Sequence, residues 1–362
     1  MSQAGAPQLV SSPKARPLRV GVVGLGTWGR EHVRAWRSLL GVELVAVCDH
    51  VGELAASVAA EHQIPRWDTE ARSLVRQELA LDAVSIVTDE ASHLSSAAPF
   101  IEAGVSVLVE KPLALDIVEA TELVRLAERA KVVLMPGHLL RFDTRLCLLW
   151  EQAQRGALGT LRSISTRRWM PRSRHAKYSR AHPALLNAIH DLDLMRWFLG
   201  STPRIVSAWS PKDDNSSAPA QLWSVTEFDD GALGFTETGW VLPDSCGMWL
   251  ESELAVVGTE GIARVRFPSD SLAVFAANGN AYPDTAISPA LSDRSPGTLR
   301  DELEYFARCV RSGTSPERIT PSDSLATLAH AIAVMEADRR GSPVGLCDSP
   351  TPGTAGNERG LG

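Results

Sequence analysis

The first half of the chain alternates short apolar segments with helical patterns, and this alternation constrains the fold more than any other feature. The apolar segments contain Val, Ile and Leu almost without interruption, as strands do when helices cover both faces of their sheet. Between them, 114–131 and the segment after Gly29 carry apolar residues at helical spacing. Strands and helices alternating at this length predict a doubly wound parallel sheet. The predicted strands are 19–24, 43–49, 82–88, 105–110 and 132–137.

The second half of the chain has a different order of elements, with several predicted strands in a row and no helices between them. Turn residues separate these strands, which is typical of a mostly antiparallel sheet. The change near Gly137 predicts a first domain over 18–137 and a second over 138–342, with a disordered tail at 1–17 and a flexible tail at 343–362. The predicted strands are 161–169, 204–210, 221–229, 232–241, 249–258 and 262–267, and the predicted helices are 142–155, 184–199, 297–312 and 322–340.

Charge and composition exclude several classes of partner. The chain has 362 residues and a formal net charge of -7, which argues against a nucleic acid or an anionic membrane as its main partner. No apolar run approaches the roughly 18 residues of a membrane span, and the N-terminus has no apolar signal region. The five cysteines are scattered without a CxxC pair, so neither disulfides nor a metal site are predicted, and a reducing cytoplasm is the expected location.

The hexapeptide GLGTWG directly follows the first predicted strand and opens an amphipathic helix. In this context Gly24 permits a tight turn, Gly26 lets the backbone approach a pyrophosphate, and Gly29 lets helix and strand pack closely. The helix that begins near Thr27 offers free N–H groups to phosphates, and Trp28 can flank the bound molecule. The motif therefore predicts a dinucleotide site, the alternative being a glycine-rich turn that binds nothing.

Asp49 ends the second predicted strand, 25 residues after Gly24. A carboxylate at this place can accept hydrogen bonds from the adenosine ribose hydroxyls and would repel a 2′-phosphate. The chain is therefore predicted to bind NAD, with NADP less favoured. The alternative is an aspartate that only caps a turn.

Two further groups have the chemistry of an active site. Lys111 follows the strand 105–110, at the edge of the sheet where ligands bind, and its ammonium could stabilise a developing alkoxide. Asn187 and His190 share a helix face, and an imidazole is suited to take a hydroxyl proton near neutral pH. The alternatives are a solvated turn for the lysine and a structural histidine in the helix.

A basic segment over 167–182 starts at the end of the predicted strand 161–169 and continues into a predicted loop before the His190 helix. Its six cations could attract an anionic substrate such as a sugar acid, a sugar phosphate or a nucleotide sugar, with Arg168 as a substrate-binding residue. The alternative is a solvated surface loop. The neighbouring pair Asp89 and Glu90 is predicted to be loop surface. The six cations are Arg167, Arg168, Arg172, Arg174, Lys177 and Arg180.

Five motifs in this order resemble the Gfo/Idh/MocA oxidoreductases, named for glucose–fructose oxidoreductase and inositol dehydrogenase. The resemblance covers roughly residues 18–342. The motifs are the GLGTWG loop, Thr88 with His93, the EKP tripeptide at 110–112, Gly137-His138 with Arg141-Phe142, and His190-Asp191-Leu192-Asp193.

The resemblance implies a Rossmann domain followed by an α/β domain with an open, mostly antiparallel sheet, and a homodimer or homotetramer formed through that sheet. It implies hydride transfer between NAD(P) and a secondary alcohol or ketone of a sugar, cyclitol or related small molecule. It assigns Lys111 to polarising the reacting oxygen and His190 to general acid/base catalysis. The other residues that it implies are Thr88, His93 and Glu110 at the cofactor, and Asn187 and His138 at the substrate.

Two positions depart from the family pattern. Leu186 stands where many members carry an aspartate four residues before the histidine, and Asp89 replaces the proline that usually follows the threonine. Two other functions are therefore kept open. One is NAD-dependent cleavage of a glycoside without net redox change, and the other is a dinucleotide sensor without turnover.

Overall fold

The structure is a computed structural model. It describes residues 16–346 except 76, 212–217, 269–271, 277–278, 290 and 292–295. The predicted tails lie largely outside the described residues, but Val344–Gly345, within the segment predicted to be flexible, form a strand that pairs with Ile205 and Val206. The ordered second domain therefore extends further than the sequence predicts.

The first domain is a six-stranded parallel sheet with strand order β3-β2-β1-β4-β5-β6. This order, with helices between the strands, confirms the doubly wound Rossmann fold. Five of the strands match the predicted segments, and β3 is an addition. The elements are β1 Leu18–Val23, α1 Thr27–Arg37, β2 Val42–Cys48, α2 Gly52–His62, β3 Arg66–Asp68, β4 Ala83–Ile86, α3 His93–Glu102, β5 Ser106–Glu110, α4 Ile117–Ala130 and β6 Leu134–Gly137.

The second domain is built on a seven-stranded sheet with strand order β12-β11-β7-β10-β9-β8-β15. All its pairs are antiparallel except β7 with β10, so the sheet is mixed and mostly antiparallel. The elements are α5 Thr144–Gln154, β7 Leu161–Pro171, α6 His175–Tyr178, a π-helical turn Ala184–Ala188, α7 Ile189–Leu199, β8 Pro203–Trp209, β9 Gln221–Phe228, β10 Leu233–Leu242, β11 Glu251–Gly258, β12 Ile262–Phe267, β13 Val274–Ala276, β14 Gly279–Ala281, α8 Thr298–Ser312, α9 Pro321–Arg340 and β15 Val344–Gly345.

The two faces of the second sheet differ in what covers them. Strands β8–β10 alternate buried and exposed residues, and helices α7 and α9 pack on the buried face. The other face presents large apolar side chains to solvent, which confirms an open sheet. They include Trp209, Trp223, Phe235 and Ile262.

Helix α8 returns to the first domain, although it follows the second domain in sequence. Its apolar side chains join the core cluster around α1, where Trp36 and Phe306 meet edge to face with ring centroids 6.2 Å apart. Arg311, near the end of α8, donates to the carbonyl of Gly41, just after α1. The two helices therefore run in the same direction along the Rossmann sheet.

Among the described helices, none is both long and apolar enough to cross a membrane. Within the same residues, no group of three or more His, Cys, Asp or Glu side chains is arranged to hold a metal ion.

Candidate active site

The glycine loop has its shape because Gly24 and Gly29 have no side chain. Gly24 has φ +91°, and a Cβ there would lie 2.4 Å from the carbonyl oxygen of Val87. A Cβ on Gly29 would lie 1.8 Å from the carbonyl oxygen of Gly24, so the start of α1 touches the turn directly. Gly26, in contrast, has no other atom within 4 Å of its Cβ position. The loop therefore fits a pyrophosphate, which needs open backbone at the N-terminus of a helix.

Asp49 lies beside this loop at the end of β2, where the sequence places it. Its carboxylate is buried and accepts hydrogen bonds from the amides of Leu25 at 2.7 Å and Val51 at 2.9 Å. The residue thus shapes the turn and also leaves a fixed negative charge beside the loop. Carboxylate oxygens can accept more than one hydrogen bond, so capping the turn and holding a ribose are compatible.

Glu110 connects the glycine loop to the EKP tripeptide. Its Oε1 accepts from the indole of Trp28 at 2.8 Å and contacts Nε2 of His32 at 3.2 Å, and its Oε2 accepts from the amide of Lys111 at 3.2 Å. Burial opposes ionisation of this carboxyl, but the bond to His32 and the charges of His32 and Lys111 hold its pKa below the usual value. An ionised Glu110 therefore fixes Trp28 and the backbone of Lys111 together.

Lys111 reaches across to the helix that carries the histidine. Its Nζ donates a 3.0 Å hydrogen bond to the carbonyl oxygen of Leu186, which lies in the π turn directly before α7. A π turn is a rare interruption of an α-helix and is frequent at functional sites. The predicted helix 184–199 thus begins irregularly, and the lysine ammonium lies next to that irregularity.

His190 lies one turn beyond this contact and is half-buried. Desolvation lowers its pKa well below the usual value, and the positive charges of Lys111 and Arg168 lower it further. The imidazole is therefore neutral near pH 7 and can accept a proton. Its Nδ1 is buried and has no hydrogen-bond partner among the described residues.

Asn187 is held by the sheet below it. Its Nδ2 donates to Oγ1 of Thr238 at 2.6 Å, and that hydroxyl donates to the carbonyl of Arg168. The side chain is almost completely buried, at 3% exposure. Thr238 was not among the predicted site residues. The signal in the sequence was a threonine on the buried face of the predicted strand 232–241, where a polar side chain needs a partner.

The basic segment is not one loop. Arg167 and Arg168 belong to β7, as the predicted strand 161–169 places them, but β7 continues to Pro171, so the loop begins later than predicted. The strand continues because these residues pair with Glu237 and Thr238 on one side and with Ser252 and Glu253 on the other.

Three of the six cations have carboxylate partners. Arg168 donates through Nε and Nη2 to both oxygens of Asp191, at 3.0 and 2.9 Å, and this fork is buried. Arg167 pairs with Glu251 in the same way. The predicted role of Arg168 in substrate binding stays a prediction. Its Nε and Nη2 both donate to Asp191, so through these two atoms the guanidinium orients that carboxylate.

Arg180 forms the third pair, and it joins the two domains. Its Nε and Nη2 donate to the two oxygens of Glu90 at 2.8 and 2.6 Å. Glu90 is 8% exposed, so its prediction as loop surface is wrong, whereas Asp89 is exposed as predicted. Burial opposes ionisation of Glu90, but the hydrogen bond from Arg180 holds its pKa below the usual value.

His93 and His138 each contact neighbouring groups through a ring nitrogen. His93 lies between the carbonyls of Thr88 and Pro112, at 3.1 and 2.9 Å, and so ties the end of β4 to the EKP turn. His138 is 1% exposed and its Nε2 contacts the hydroxyl of Ser324 at 3.0 Å. Both ring nitrogens of His93 are thus engaged, whereas Nδ1 of His138 has no hydrogen-bond partner among the described residues, and the predicted roles of both rings stay predictions.

A Rossmann domain with an open glycine loop, linked through Glu110 to a lysine that contacts the π turn before a neutral histidine, defines a nicotinamide-dependent oxidoreductase. Comparison with known proteins agrees. The profile of the oxidoreductase family with an NAD-binding Rossmann fold matches residues 18–138, and that of the GFO/IDH/MocA C-terminal domain matches residues 149–264. The chain belongs to the Gfo/Idh/MocA family.

Relatives match over nearly their full length. The chain is 28% identical to the rhizopine catabolism protein MocA of Rhizobium meliloti, over 88% of this chain and 94% of the relative. It is also 28% identical to scyllo-inositol 2-dehydrogenase (NAD(+)) of Bacillus subtilis, over 91% and 96%. The fold matches scyllo-inositol dehydrogenase from Lactobacillus casei, solved with NAD(H) and scyllo-inositol, with a TM-score of 0.79 and 21% identity over 92% of this chain and 100% of that chain.

The protein is therefore an NAD-dependent enzyme that oxidises or reduces CH–OH groups. The glycine loop, Asp49 and the Trp28–Glu110 contact form the dinucleotide side of the predicted site. The π turn and His190 form its facing side.

Proposed function

We propose that this enzyme reversibly oxidises a secondary alcohol on a neutral cyclitol or sugar. When bound, NAD supplies the redox chemistry by accepting or returning a hydride. The protein must then move the hydroxyl proton and stabilise the charge that develops on oxygen. His190 and Lys111 have the chemistry for these two tasks.

His190 takes the hydroxyl proton in the oxidation direction, because its lowered pKa keeps the imidazole in the basic form. Lys111 stabilises the oxygen as it gains negative charge, and Asn187 orients either the substrate or the imidazole. The aspartate common at position 186 in relatives is a leucine here. The Leu186 backbone instead contributes to the site by accepting the bond from Lys111.

The observation that carries the proposal is the hydrogen bond from Lys111 Nζ to the Leu186 carbonyl, four residues before His190. It brings together two groups that are 79 residues apart in sequence, since 190 − 111 = 79. The lowering of the His190 pKa by the Lys111 charge has the same origin.

A neutral substrate is favoured over an anion by the way the cations are paired. Arg167, Arg168 and Arg180 each donate to a carboxylate, so half of the predicted basic cluster is already neutralised. Arg174 stacks over Trp249 with its guanidinium carbon 5.6 Å from the ring centroid. The printed names of the relatives, an inositol dehydrogenase and a rhizopine catabolism protein, support a cyclitol-type substrate.

The test is a panel of cyclitols, neutral sugars, sugar acids and nucleotide sugars, read by NADH absorbance with NAD and again with NADP. We expect turnover with at least one neutral cyclitol or sugar. Turnover restricted to anionic compounds would contradict the neutral-substrate proposal. Free sugar released from a glycoside without net NADH would indicate the non-redox alternative, and tight NADH binding without any turnover would indicate a sensor.

We also propose that two or four copies associate through the open face of the second sheet. The exposed side chains of Trp209, Trp223, Phe235 and Ile262 form an apolar surface that a second copy would cover. Light scattering after size exclusion should give a dimer or a tetramer, and Trp223→Glu should shift it toward monomer. A monomeric wild-type protein at micromolar concentration would contradict this proposal.

A reducing cytoplasm remains the proposed location. The described cysteines Cys48, Cys147, Cys246 and Cys309 are all free thiols. Free thiols are typical of reducing compartments. Thiol counting under denaturing conditions, with and without prior reduction, would test whether the isolated protein keeps them reduced.

A further inference from the structure

Two hydrogen-bonded contacts between the domains lie close together. Arg180 of the second domain donates to both carboxylate oxygens of Glu90, and the proposed reaction does not use this pair. Lys111 of the first domain donates to the carbonyl oxygen of Leu186. The chain between Arg180 and Leu186 is compact, because the amide of Leu186 donates back to the carbonyl of His182 at 3.3 Å. Both contacts therefore involve one short stretch of the second domain.

His93 ties the first-domain ends of these two contacts together. Its ring nitrogens lie 3.1 Å from the carbonyl oxygen of Thr88 and 2.9 Å from that of Pro112. Glu90 lies just after Thr88, in the turn between β4 and α3. Lys111 directly precedes Pro112. The two turns are thus fixed against each other, so Glu90 and Lys111 meet the second domain at neighbouring points.

The Lys111 ammonium has a carbonyl group as its partner and not a carboxylate. Among the described residues it forms no ion pair, although burial of a charged group favours one. Burial lowers its pKa, and the negative charges of Glu110 and Glu90 oppose that effect. Glu110 is held by Trp28 and His32. Which cation holds Glu90 therefore decides whether Lys111 stays without a carboxylate partner.

The guanidinium of Arg180 is fixed by its own domain as well as by Glu90. Its Nη1 donates to the carbonyl of Lys177, and its central carbon lies 5.5 Å from the centroid of the Tyr178 ring. Tyr178 stacks in turn on the buried Trp240 of β10, with ring centroids 5.6 Å apart. The second domain thus presents a guanidinium of fixed position to Glu90.

We propose that Arg180 is a positioning residue, which holds the Glu90 carboxylate away from Lys111 and so leaves the ammonium free for the reacting oxygen. A buried carboxylate needs a partner, and Lys111 is the other cation whose charge acts on Glu90. Without Arg180, Glu90 turns to the ammonium. A carboxylate paired with Lys111 opposes the negative charge that develops on the substrate oxygen. The inference therefore rests on the role proposed for Lys111.

The charges around Lys111 set the sign of the expected change. Burial is the largest cause of its lowered pKa, and beyond burial Glu90 raises the pKa while Arg180 lowers it. Losing Arg180 alone should therefore raise the Lys111 pKa, and losing both charges should leave it close to the wild-type value. The charged and titratable groups that interact with Lys111 are Glu90 after β4, Glu110 at the end of β5, His138 after β6, Arg168 on β7, Arg180 after α6 and His190 on α7.

Competitive acetylation of lysine amines, followed peptide by peptide with mass spectrometry, tests the inference without any substrate. Only an unprotonated amine reacts, so a pH series gives a labelling curve for each lysine. Arg180→Met should move the Lys111 curve toward higher pH by about one unit, since an ion pair favours the ammonium. Adding Glu90→Gln should move the curve back. Lys131, which is exposed, is the internal control.

The double variant separates charge from structure. A cleft that merely opened without Arg180 would also raise the Lys111 pKa, because burial of the ammonium would be relieved. It would do so equally in the double variant, which lacks the same ion pair. Curves displaced alike in the single and double variants would therefore overturn the proposal, and so would a Lys111 curve that stays in place in Arg180→Met.

Turnover gives a second readout. Arg180→Met should lower kcat by about tenfold, comparable with one lost hydrogen bond to a charged group, and leave NADH affinity unchanged. Arg180→Lys keeps the cation and should keep kcat within about threefold of wild type. Adding Glu90→Gln to Arg180→Met should restore kcat, because the competing carboxylate is gone. Arg204→Met, which removes an exposed pair with Glu227, is the matched control.

These outcomes are distinct from a failure of the proposed function. Wild-type turnover in Lys111→Met would contradict the role of the lysine in the reaction, whatever Arg180 does. A wild-type kcat in Arg180→Met, or a double variant no better than the single variant, would overturn the role of Arg180 alone. Arg180→Gln, which keeps a donor but no charge, replaces the methionine variant if that variant does not fold.

Discussion

In the glycine loop most of the contacts that fix the shape of the chain involve backbone atoms. Gly24 and Gly29 touch directly, and Asp49 accepts from the Leu25 amide. On the facing side the contacts join side chains from distant segments. Lys111 reaches a carbonyl 75 residues away, and Asn187 pairs with a threonine 51 residues away. The dinucleotide side is thus set mainly by backbone geometry, and the facing side by side-chain contacts.

This difference has consequences for mutation. A change in the glycine loop acts on the shape of the backbone and so on folding or cofactor affinity. A change on the facing side acts on protonation and charge and so on turnover. Variants of the two sides should therefore differ in the quantity that changes, and the largest change is expected in turnover.

Replacing Lys111 with Met or His190 with Gln should lower kcat by roughly 10²–10⁴-fold, the range that general acid/base groups contribute. NADH affinity, measured by fluorescence titration, should change far less, because neither side chain shapes the glycine loop. Lys131→Gln, at an exposed position, is the matched control. Near-wild-type turnover in either active-site variant would reject the role assigned to it.

Two glycine variants should disrupt the dinucleotide side in different ways, one through stability and the other through NADH affinity. Gly29→Ala places a Cβ 1.8 Å from the Gly24 carbonyl oxygen and should destabilise the protein by about 1–3 kcal/mol, seen as a lower melting temperature. Gly26→Ala meets no atom within 4 Å and should fold normally, yet bind NADH about tenfold more weakly because the backbone approach is lost. Equal melting temperatures for the two variants would show that the loop tolerates a Cβ at both positions.

Asp49→Asn should raise the ratio of kcat/KM for NADP to that for NAD by about tenfold, since a neutral side chain no longer repels a 2′-phosphate. The amide oxygen can still accept from a backbone N–H, so folding should be retained. The comparison needs Michaelis constants for both cofactors in both proteins. Wild type preferring NADP would show that Asp49 does not select the cofactor.

Glu90→Gln should have the smallest effect of the four. It weakens the pair with Arg180, which is partly exposed, and so should raise the substrate KM about threefold to fivefold with little change in kcat. Glu227→Gln, which weakens the exposed pair with Arg204, is the control and should leave KM unchanged. A KM unchanged in Glu90→Gln would limit this pair to a structural role.

The dinucleotide side was readable from the sequence because its backbone geometry requires glycine at particular positions. The glycine loop and Asp49 lie where their spacing in the sequence predicts. Strand β3 was missed because Arg66–Asp68 is only three residues long and begins and ends with a charged residue. Such a strand forms because it pairs with the edge of β2, and the local sequence of 66–68 contains no sign of that partner.

The facing side was predicted only in part. Lys111 and His190 were identified, but the π turn was not, since its residues have the same apolar spacing as an α-helix. Arg168 fell at the end of the predicted strand 161–169, and pairing with β10 and β11 carries that strand on to Pro171.

The most direct test of the account is the titration of His190 by nuclear magnetic resonance, in wild type and in Lys111→Met. Burial is the largest cause of its lowered pKa, and the Lys111 charge is the next. If the ammonium and the imidazole share one cleft, removing the charge raises the His190 pKa toward its usual value of about 6.5. An unchanged titration would place the two groups too far apart to act on the same oxygen.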